Sequence, residues 1–384
     1  MDILMGSGVL KRREGGVAAV IYNLGHELER FGHHVTYVFQ EDLIEPEGIS
    51  PRFNELVFSW KLGRYIAENR KKFSIVNLHA PTGFPYGLRR KWRGAAGYPP
   101  YIMTLHGLEE RRVHAMSREA KKGRAWNYSL KNRLWHRFYH QPRFRWSIRT
   151  ADGAHTCARE VWSTLQVKYN LDADRVAYIP HGVESRFFVP REYPSGETLR
   201  LLYAGTWLDQ RGVFYIRDAL RVVAPTISGL TMTFAGCGVL PEEIQHFFGP
   251  ELAGRIVVLP VIPAERMPEL YAEHDVFLFP SMVEGLPLVL LEAMATGMPV
   301  ITTDTCGMAD VVEHDFNGLL IPPADAVAMQ EGILRFARSA ELRKKLGEAA
   351  RETVKRYTWE RAARRLEELY LHVLALECRS SRKT

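Results

Sequence analysis

The stretch 276–302, VFLFPSMVEGLPLVLLEAMATGMPVIT, constrains what this chain can fold into more than any other part of it. Val276, Phe277, Leu278 and Phe279 form an apolar run of strand type, stopped by Pro280 and Ser281. A loop carrying Glu284 and Gly285 follows. Pro287 sits where a first helical position belongs, because its φ is preset and its missing N–H would have no helical partner. Residues 288–295 then read as one buried helix, Gly297 as its C-terminal stop, and 299–302 as the next strand. Strand, loop, helix and strand in that order predict a βαβ unit of a parallel sheet.

Two carboxylates are placed unusually in this unit. Glu284 lies in the loop beyond the strand's carboxyl end, and Glu292 lies inside an otherwise apolar helix turn. A helix N-terminus at the end of a parallel strand presents free N–H groups and a positive dipole end, which suits an anion. The residues alone leave a plainer alternative open, a solvated loop acid and a tolerated polar residue on a partly exposed helix.

The same alternation runs through the chain. In the first half, 3–5, 35–39, 75–78, 101–105, 152–157 and 176–179 read as strands, and 17–31, 56–70 and 159–168 as helices. In the second half, 201–205, 230–235, 256–259 and 276–279 read as strands, 212–223 and 267–273 as helices, and 360–376 as a long last helix before a basic tail. Two prolines and one glycine between Phe187 and Glu197 mark a linker. The expected fold class is α/β, with two doubly wound Rossmann-like domains facing a cleft. The expected boundaries are 1–186, a linker at 187–198, 199–359, and a C-terminal helix and tail at 360–384 that packs back on the first domain.

Composition narrows the class. Hydrophobic residues make up 46% and charged residues 25%, as in an ordinary soluble domain. No apolar run approaches the roughly 18 residues of a membrane span. The chain enters a strand at Ile3 with no signal-peptide layout. Cys157, Cys237, Cys306 and Cys378 are scattered, with no Cys-x-x-Cys pair and no disulfide framework, so a reduced, cytoplasmic, metal-free protein is expected. The net charge of +7 points to an anionic partner. It is concentrated in 111–149, where twelve Lys or Arg face one acid, Glu119, among Trp126, Tyr128, Trp135, Phe138, Tyr139, Phe144 and Trp146. Three readings compete for this segment: a solvated helical face, an anionic membrane surface, and single-stranded nucleic acid. No recognisable nucleic-acid fold accompanies it, and the membrane surface is the reading adopted.

Two loops carry further candidates. Gly15 and Gly16 sit between the first strand and first helix, where backbone amides could approach a phosphate or sugar, although a plain tight turn reads equally well. His106, with Gly107, directly follows the strand 101–105.

These motifs together resemble a known family. EGLPLVLLEAMATGMPVI, with Glu284 and Glu292 forming Glu-x7-Glu, resembles the donor-site motif of the family 4 retaining glycosyltransferases of the GT-B fold, the glycosyl transferases group 1. Gly15 and Gly16 before the first helix, then GHHVTYVF, look like the opening of these enzymes. Thr104, Leu105, His106 and Gly107 match the family's strand-end histidine, and Pro180 to Glu184, PHGVE, its junction between domains. The resemblance covers almost the whole chain and is strongest over 201–325.

The resemblance implies transfer of a sugar from a nucleotide diphosphate sugar, a UDP- or GDP-sugar, to a hydroxyl of a glycan or lipid-linked acceptor, with retention and without metal or other cofactor. It implies catalytic roles for His106 and Glu284, and a donor site containing Gly15, Gly16, Gly205, Thr206, Arg211, Val261, Gly285, Leu286, Leu288 and Glu292. Arg211 stands at the family's diphosphate-binding Lys, and its planar fork suits phosphate oxygens. Glu284 would hold sugar hydroxyls and Glu292 the ribose hydroxyls. Two departures are visible. Gly205, Thr206 and Trp207 replace the usual Gly-Arg-Leu, so a second diphosphate cation is missing, and Asp310 replaces a usual Glu. The expected location is cytoplasmic, peripheral at the inner membrane face. The rival from another class is a non-catalytic binder of glycan or nucleic acid on the same scaffold. A phosphorylase would need a pyridoxal-bearing lysine, and nothing marks one.

Overall fold

A computed structural model describes the chain except for residues 12–15, 45–50, 96, 127, 197 and 382–384. The described chain forms two compact units: 1–110 with 129–181 and 359–384, and 111–128 with 182–358. The basic segment is therefore divided. Its first part groups with the second unit and its remainder with the first.

The first unit holds six parallel strands, β1 (Asp2–Gly6), β2 (His34–Val38), β3 (Ile75–His79), β4 (Tyr101–Leu105), β5 (Gly153–Thr156) and β6 (Val176–Tyr178), in the order β2-β1-β3-β4-β5-β6. Every residue of β3, β4 and β5 is buried, as expected of parallel strands covered on both faces. The polar members of those strands satisfy one another. The Thr104 hydroxyl donates to Asn77 Oδ1 at 2.6 Å, and Asn77 Nδ2 donates to the Tyr370 hydroxyl at 2.7 Å. Tyr370 belongs to the helix Trp359–Ser381, which groups with this unit. Two side-chain contacts fix that helix further: His33 Nε2 lies 2.7 Å from Glu367 Oε1, and Arg90 pairs with Glu377 at 2.6 Å. The helix Phe84–Arg93 was not anticipated from the sequence, because its last turns are basic and only its first turns are apolar.

The second unit holds β7 (Thr198–Ala204), β8 (Gly229–Ala235), β9 (Ile256–Leu259), β10 (Val276–Phe279), β11 (Val300–Thr303) and β12 (Leu319–Ile321), all parallel, in the order β12-β11-β10-β7-β8-β9. The segment read as a linker is tied into this unit. Arg191 donates to the Tyr271 carbonyl at 2.8 Å and to that of His274, and the Tyr193 hydroxyl donates to the Gly297 carbonyl at 2.7 Å. Pro287 caps the helix Leu288–Ala295 rather than opening it: its ψ of 129° is extended, so the first helical residue is Leu288.

The chain order reverses once in each sheet. In the second unit the chain runs β7, β8, β9 to one edge and then β10, β11, β12 to the other, leaving β7 and β10 as neighbours. In the first unit the same reversal falls between β1 and β3. Open parallel sheets bind ligands beyond the carboxyl ends of the strands at such a point.

Candidate functional site

The loops that leave β7 and β10 carry Gly205, Thr206 and Arg211 on one side and Glu284, Gly285 and Leu286 on the other, with Leu288 opening the helix that follows. They are stitched together. The Met282 N–H donates to the Gln210 carbonyl at 2.9 Å, and Ser281 Oγ donates to the same carbonyl at 3.3 Å. Gly212 makes this approach feasible. Its φ is +78°, and a Cβ there would fall 2.2 Å from the Pro280 carbonyl oxygen.

The stitching brings Arg211 and Glu284 into an ion pair between Nη1 and Oε1, with 19% and 16% of the side chains exposed. Ser281 Oγ also lies 3.3 Å from Glu284 Oε1, so its one hydrogen is shared between that oxygen and the Gln210 carbonyl. The Arg211 guanidinium lies over the Phe279 ring, 5.2 Å from its centroid, and its buried Nε has no partner. Burial pushes the Glu284 carboxyl up from its ordinary range, while Arg211 and the Ser281 hydroxyl pull it back. The pair is thus a preformed cation and a hydrogen-bond acceptor, side by side at the reversal point of the sheet.

Gly307 braces the loop from a third side. Its N–H donates to the Gly285 carbonyl at 2.8 Å, and a Cβ there would lie 2.4 Å from that oxygen. No side chain caps the helix Leu288–Ala295; the Leu290 N–H turns to the Pro287 carbonyl at 3.2 Å, and those of Leu288 and Val289 remain to meet a ligand's oxygens. Glu292, one turn further along, accepts from the buried Tyr271 hydroxyl at 2.9 Å. Burial pushes its carboxyl up to about 7, with Tyr271 and Arg186 pulling down and Glu184 pushing up.

The remaining donor candidates divide. Gly205, with φ +136°, ends β7, and its N–H donates to the Ala235 carbonyl at 2.9 Å. Thr206 is exposed, and its carbonyl accepts from the Tyr203 hydroxyl at 2.9 Å. The next side chain, Trp207, packs against Trp126, Phe234, Phe247 and Phe248. The structure does not bring Val261 to this place. It follows the edge strand β9, three strands from β10, and is 83% exposed.

In the first unit, Gly16 opens the helix Gly16–Arg30 with φ +65°, and Gly15 lies outside the described residues. His106 is half-buried at the end of β4 and does not stand alone. His79 Nδ1 lies 2.7 Å from His106 Nε2, and the His181 ring centroid is 5.8 Å from that of His106. His155 Nε2 lies 2.7 Å from the Thr104 hydroxyl. That hydroxyl's single hydrogen goes to Asn77, so His155 is the donor in this contact. Burial holds all four imidazoles below their ordinary range, His106 at about 4 and His155 at about 3. At neutral pH the cluster is uncharged.

Sequence reasoning missed Ser281, Tyr271, Gly307 and His79. His79 carried the signal already used for His106, a histidine at the carboxyl end of a strand. Tyr271 and Gly307 are joined to the site only through the fold. Among the described residues no group of three or more His, Cys, Asp or Glu is disposed to hold a metal ion.

Comparison with known proteins bears on the family and the fold. The model for glycosyl transferases group 1 matches residues 188–353, and that for glycosyltransferase family 4 matches 14–187. The chain thus carries a glycosyl transferases group 1 domain and a glycosyltransferase family 4 domain. An uncharacterized glycosyltransferase of Methanocaldococcus jannaschii is 25% identical over 93% of this chain and 94% of its own. The amylovoran biosynthesis glycosyltransferase AmsK of Erwinia amylovora is 25% identical over 46% of each chain. Among solved structures, sucrose-phosphate synthase from Thermosynechococcus elongatus superposes with a TM-score of 0.79 at 20% identity, over 98% of this chain and 100% of that one. HepE of Anabaena, in complex with UDP-glucose, gives 0.69 at 15% identity over 96% and 98%. The fold is that of the GT-B glycosyltransferases.

Proposed function

We propose that the protein transfers a sugar, with retention and without metal, from a nucleotide diphosphate sugar to a hydroxyl of a glycan or lipid-linked acceptor. The observation that carries this reading is the Arg211–Glu284 pair at the β7–β10 reversal point. A departing diphosphate needs a fixed cation, and Arg211 supplies one held over Phe279. Leu288 N–H at the helix N-terminus adds a neutral donor to the same oxygens. As the diphosphate takes Arg211, Glu284 is released to accept from sugar hydroxyls. Glu292 accepts from the ribose diol, and His106 offers a hydrogen bond to the sugar. A UDP-sugar is favoured by the Anabaena neighbour, whose complex contains UDP-glucose.

The acceptor side is read from the first unit's share of the basic segment. Leu130, Leu134 and Phe138 are exposed at i, i+4 and i+8, with Lys131, Arg133 and Arg137 exposed beside them. Apolar side chains flanked by cations suit an anionic membrane surface, where a lipid-linked acceptor would be presented. No helix among the described residues is long and apolar enough to cross a membrane.

The test is release of nucleoside diphosphate from a panel of UDP-, GDP- and ADP-sugars with glycan and lipid acceptors, in the presence and absence of chelator. Turnover that survives chelation and gives a product with the donor's anomeric configuration is expected. No turnover of any donor, or strict dependence on magnesium or manganese, would refute the reading.

A further inference from the structure

The first unit's histidine cluster has a property that the transfer reading leaves unused. His79 is 1% exposed, its Nδ1 is 2.7 Å from His106 Nε2, and its own Nε2 is buried with no partner. His106 is half-buried, and its Nδ1 has no hydrogen-bond partner among the described residues. Both rings are neutral near pH 7, so each carries one N–H, and the contact between them needs one donor and one acceptor.

Only two arrangements satisfy that contact. In one, His106 Nε2–H donates to His79 Nδ1, and His79 must then bury its Nε2–H with no acceptor. In the other, His79 Nδ1–H donates to His106 Nε2, and what His79 buries is a bare lone pair. An orphaned buried N–H is the rarer and costlier case. The second arrangement therefore prevails. It places the only hydrogen of His106 on Nδ1, the nitrogen open to a ligand.

We infer that His79 is a positioning residue that fixes His106 in the Nδ1–H tautomer, so that His106 meets an oxygen of the transferred sugar as a hydrogen-bond donor. The sugar contact rests on the function proposed above; the tautomer does not. His79 touches no substrate and acts only through His106. A lysine or arginine could also donate, but a neutral imidazole held this way adds a directed donor without adding charge.

The experiment is nitrogen NMR of the full chain labelled with 15N-histidine near pH 7, with the His106 signals identified by their loss in His106→Gln. The wild type should show His106 with a pyrrole-type Nδ1 and a pyridine-type Nε2. His79→Leu should move it to the opposite tautomer or to a mixture. His79→Asn, whose amide nitrogen occupies the Nδ1 position, should restore the wild-type pattern. In donor turnover, His79→Leu should lower kcat roughly ten- to a hundredfold with little change in KM, and His79→Asn should recover most of it. A wild-type His106 protonated on Nε2, or a tautomer unmoved by His79→Leu, overturns the inference. If the tautomer moves as expected while neither His79→Leu nor His106→Gln alters turnover, tautomer control stands and the assignment of His106 to the sugar fails. The wild-type spectrum decides the main point even if a variant does not fold.

Discussion

Each unit's sheet reverses its strand order once, but the two units gather opposite chemistry at their strand ends. At β7 and β10 the second unit places a cation and an anion together, the Arg211–Glu284 pair, and holds them with backbone contacts through Gly212 and Gly307. Around the ends of β3, β4 and β5 the first unit gathers His79, His106 and His155 without a charge, with His181 beside them. The charged site suits a diphosphate, whose charge it must match. The neutral one suits hydroxyl oxygens, which need directed donors. Two parallel sheets of the same strand number, each reversing once, thus yield two electrostatic environments, because the residues at their strand ends differ.

Breaking the charged half should have the largest effect. Arg211→Ala removes the fixed cation and should cost about 3–4 kcal/mol of transition-state stabilisation, a loss on the order of 100- to 1,000-fold in kcat. The fold should survive, because burial already raises the Glu284 carboxyl, which can take up a proton once its partner is gone. Glu284→Gln keeps the shape and removes the charge. Misplacing the sugar in this way should cost on the order of 100-fold. Steady-state release of nucleoside diphosphate measures both, and wild-type rates in either folded variant would count against the assignment.

The comparison sharpens with pH, since the two halves should respond in opposite directions. Burial holds His155 near 3 in the folded unit, well below its unfolded value, so its contribution is present above about 6.5 and is lost as pH falls towards 3. By pH 5 that loss should reach roughly 2 kcal/mol. Glu292 behaves in reverse. Its folded value near 7 lies above its unfolded value, so its contribution is full below about 4.5 and is lost as pH rises through 7. Glu292→Gln should therefore stabilise the ligand-free second unit at pH 8 by on the order of 1–3 kcal/mol and leave it unchanged at pH 4. Amide exchange resolved by strand, corrected for intrinsic rates, separates the units. Parallel responses of β3–β5 and β7–β10 to pH would contradict this division.

The smallest expected effect lies on the first unit's surface. Leu130→Ser with Phe138→Ser should weaken binding to anionic vesicles several-fold, and high salt should weaken it further, since each cation near such a surface is worth about 1 kcal/mol. Equal pelleting with neutral and anionic vesicles at both salt concentrations would leave the stripe as a solvated face.

Much of this was legible in the sequence because the site sits on a contiguous motif. Strand, loop and helix over 276–302 fix Glu284 and Glu292 relative to one sheet, and the structure reproduces that unit to within a residue or two. Arg211 lies over seventy residues away, and its place came from family resemblance rather than from spacing. Its ion pair with Glu284 depends on the close approach at Gly212, which no local pattern announces. Tyr271 precedes β10 and reaches Glu292 only once the sheet has formed. The division of 111–149 was hidden for a related reason. Glu119 and Trp126 look like surface residues until Glu119 meets the Tyr215 hydroxyl at 2.6 Å and Trp126 meets Trp207 and Phe214. Val261, a position carried over by resemblance, follows the edge strand β9 and does not stand beside the Arg211–Glu284 pair.

The measurement that tests the central claim most directly is donor binding to the Arg211–Glu284 site. Wild type, Arg211→Ala and Val261→Ala would be titrated with UDP-, GDP- and ADP-sugars and followed by thermal unfolding, since a ligand that binds only the folded state raises Tm by mass action. At least one donor should raise the wild-type and Val261→Ala Tm alike, and Arg211→Ala should need about tenfold or more donor for the same shift, equal to about 1.4 kcal/mol. Equal stabilisation of wild type and Arg211→Ala by the same donor would contradict the account.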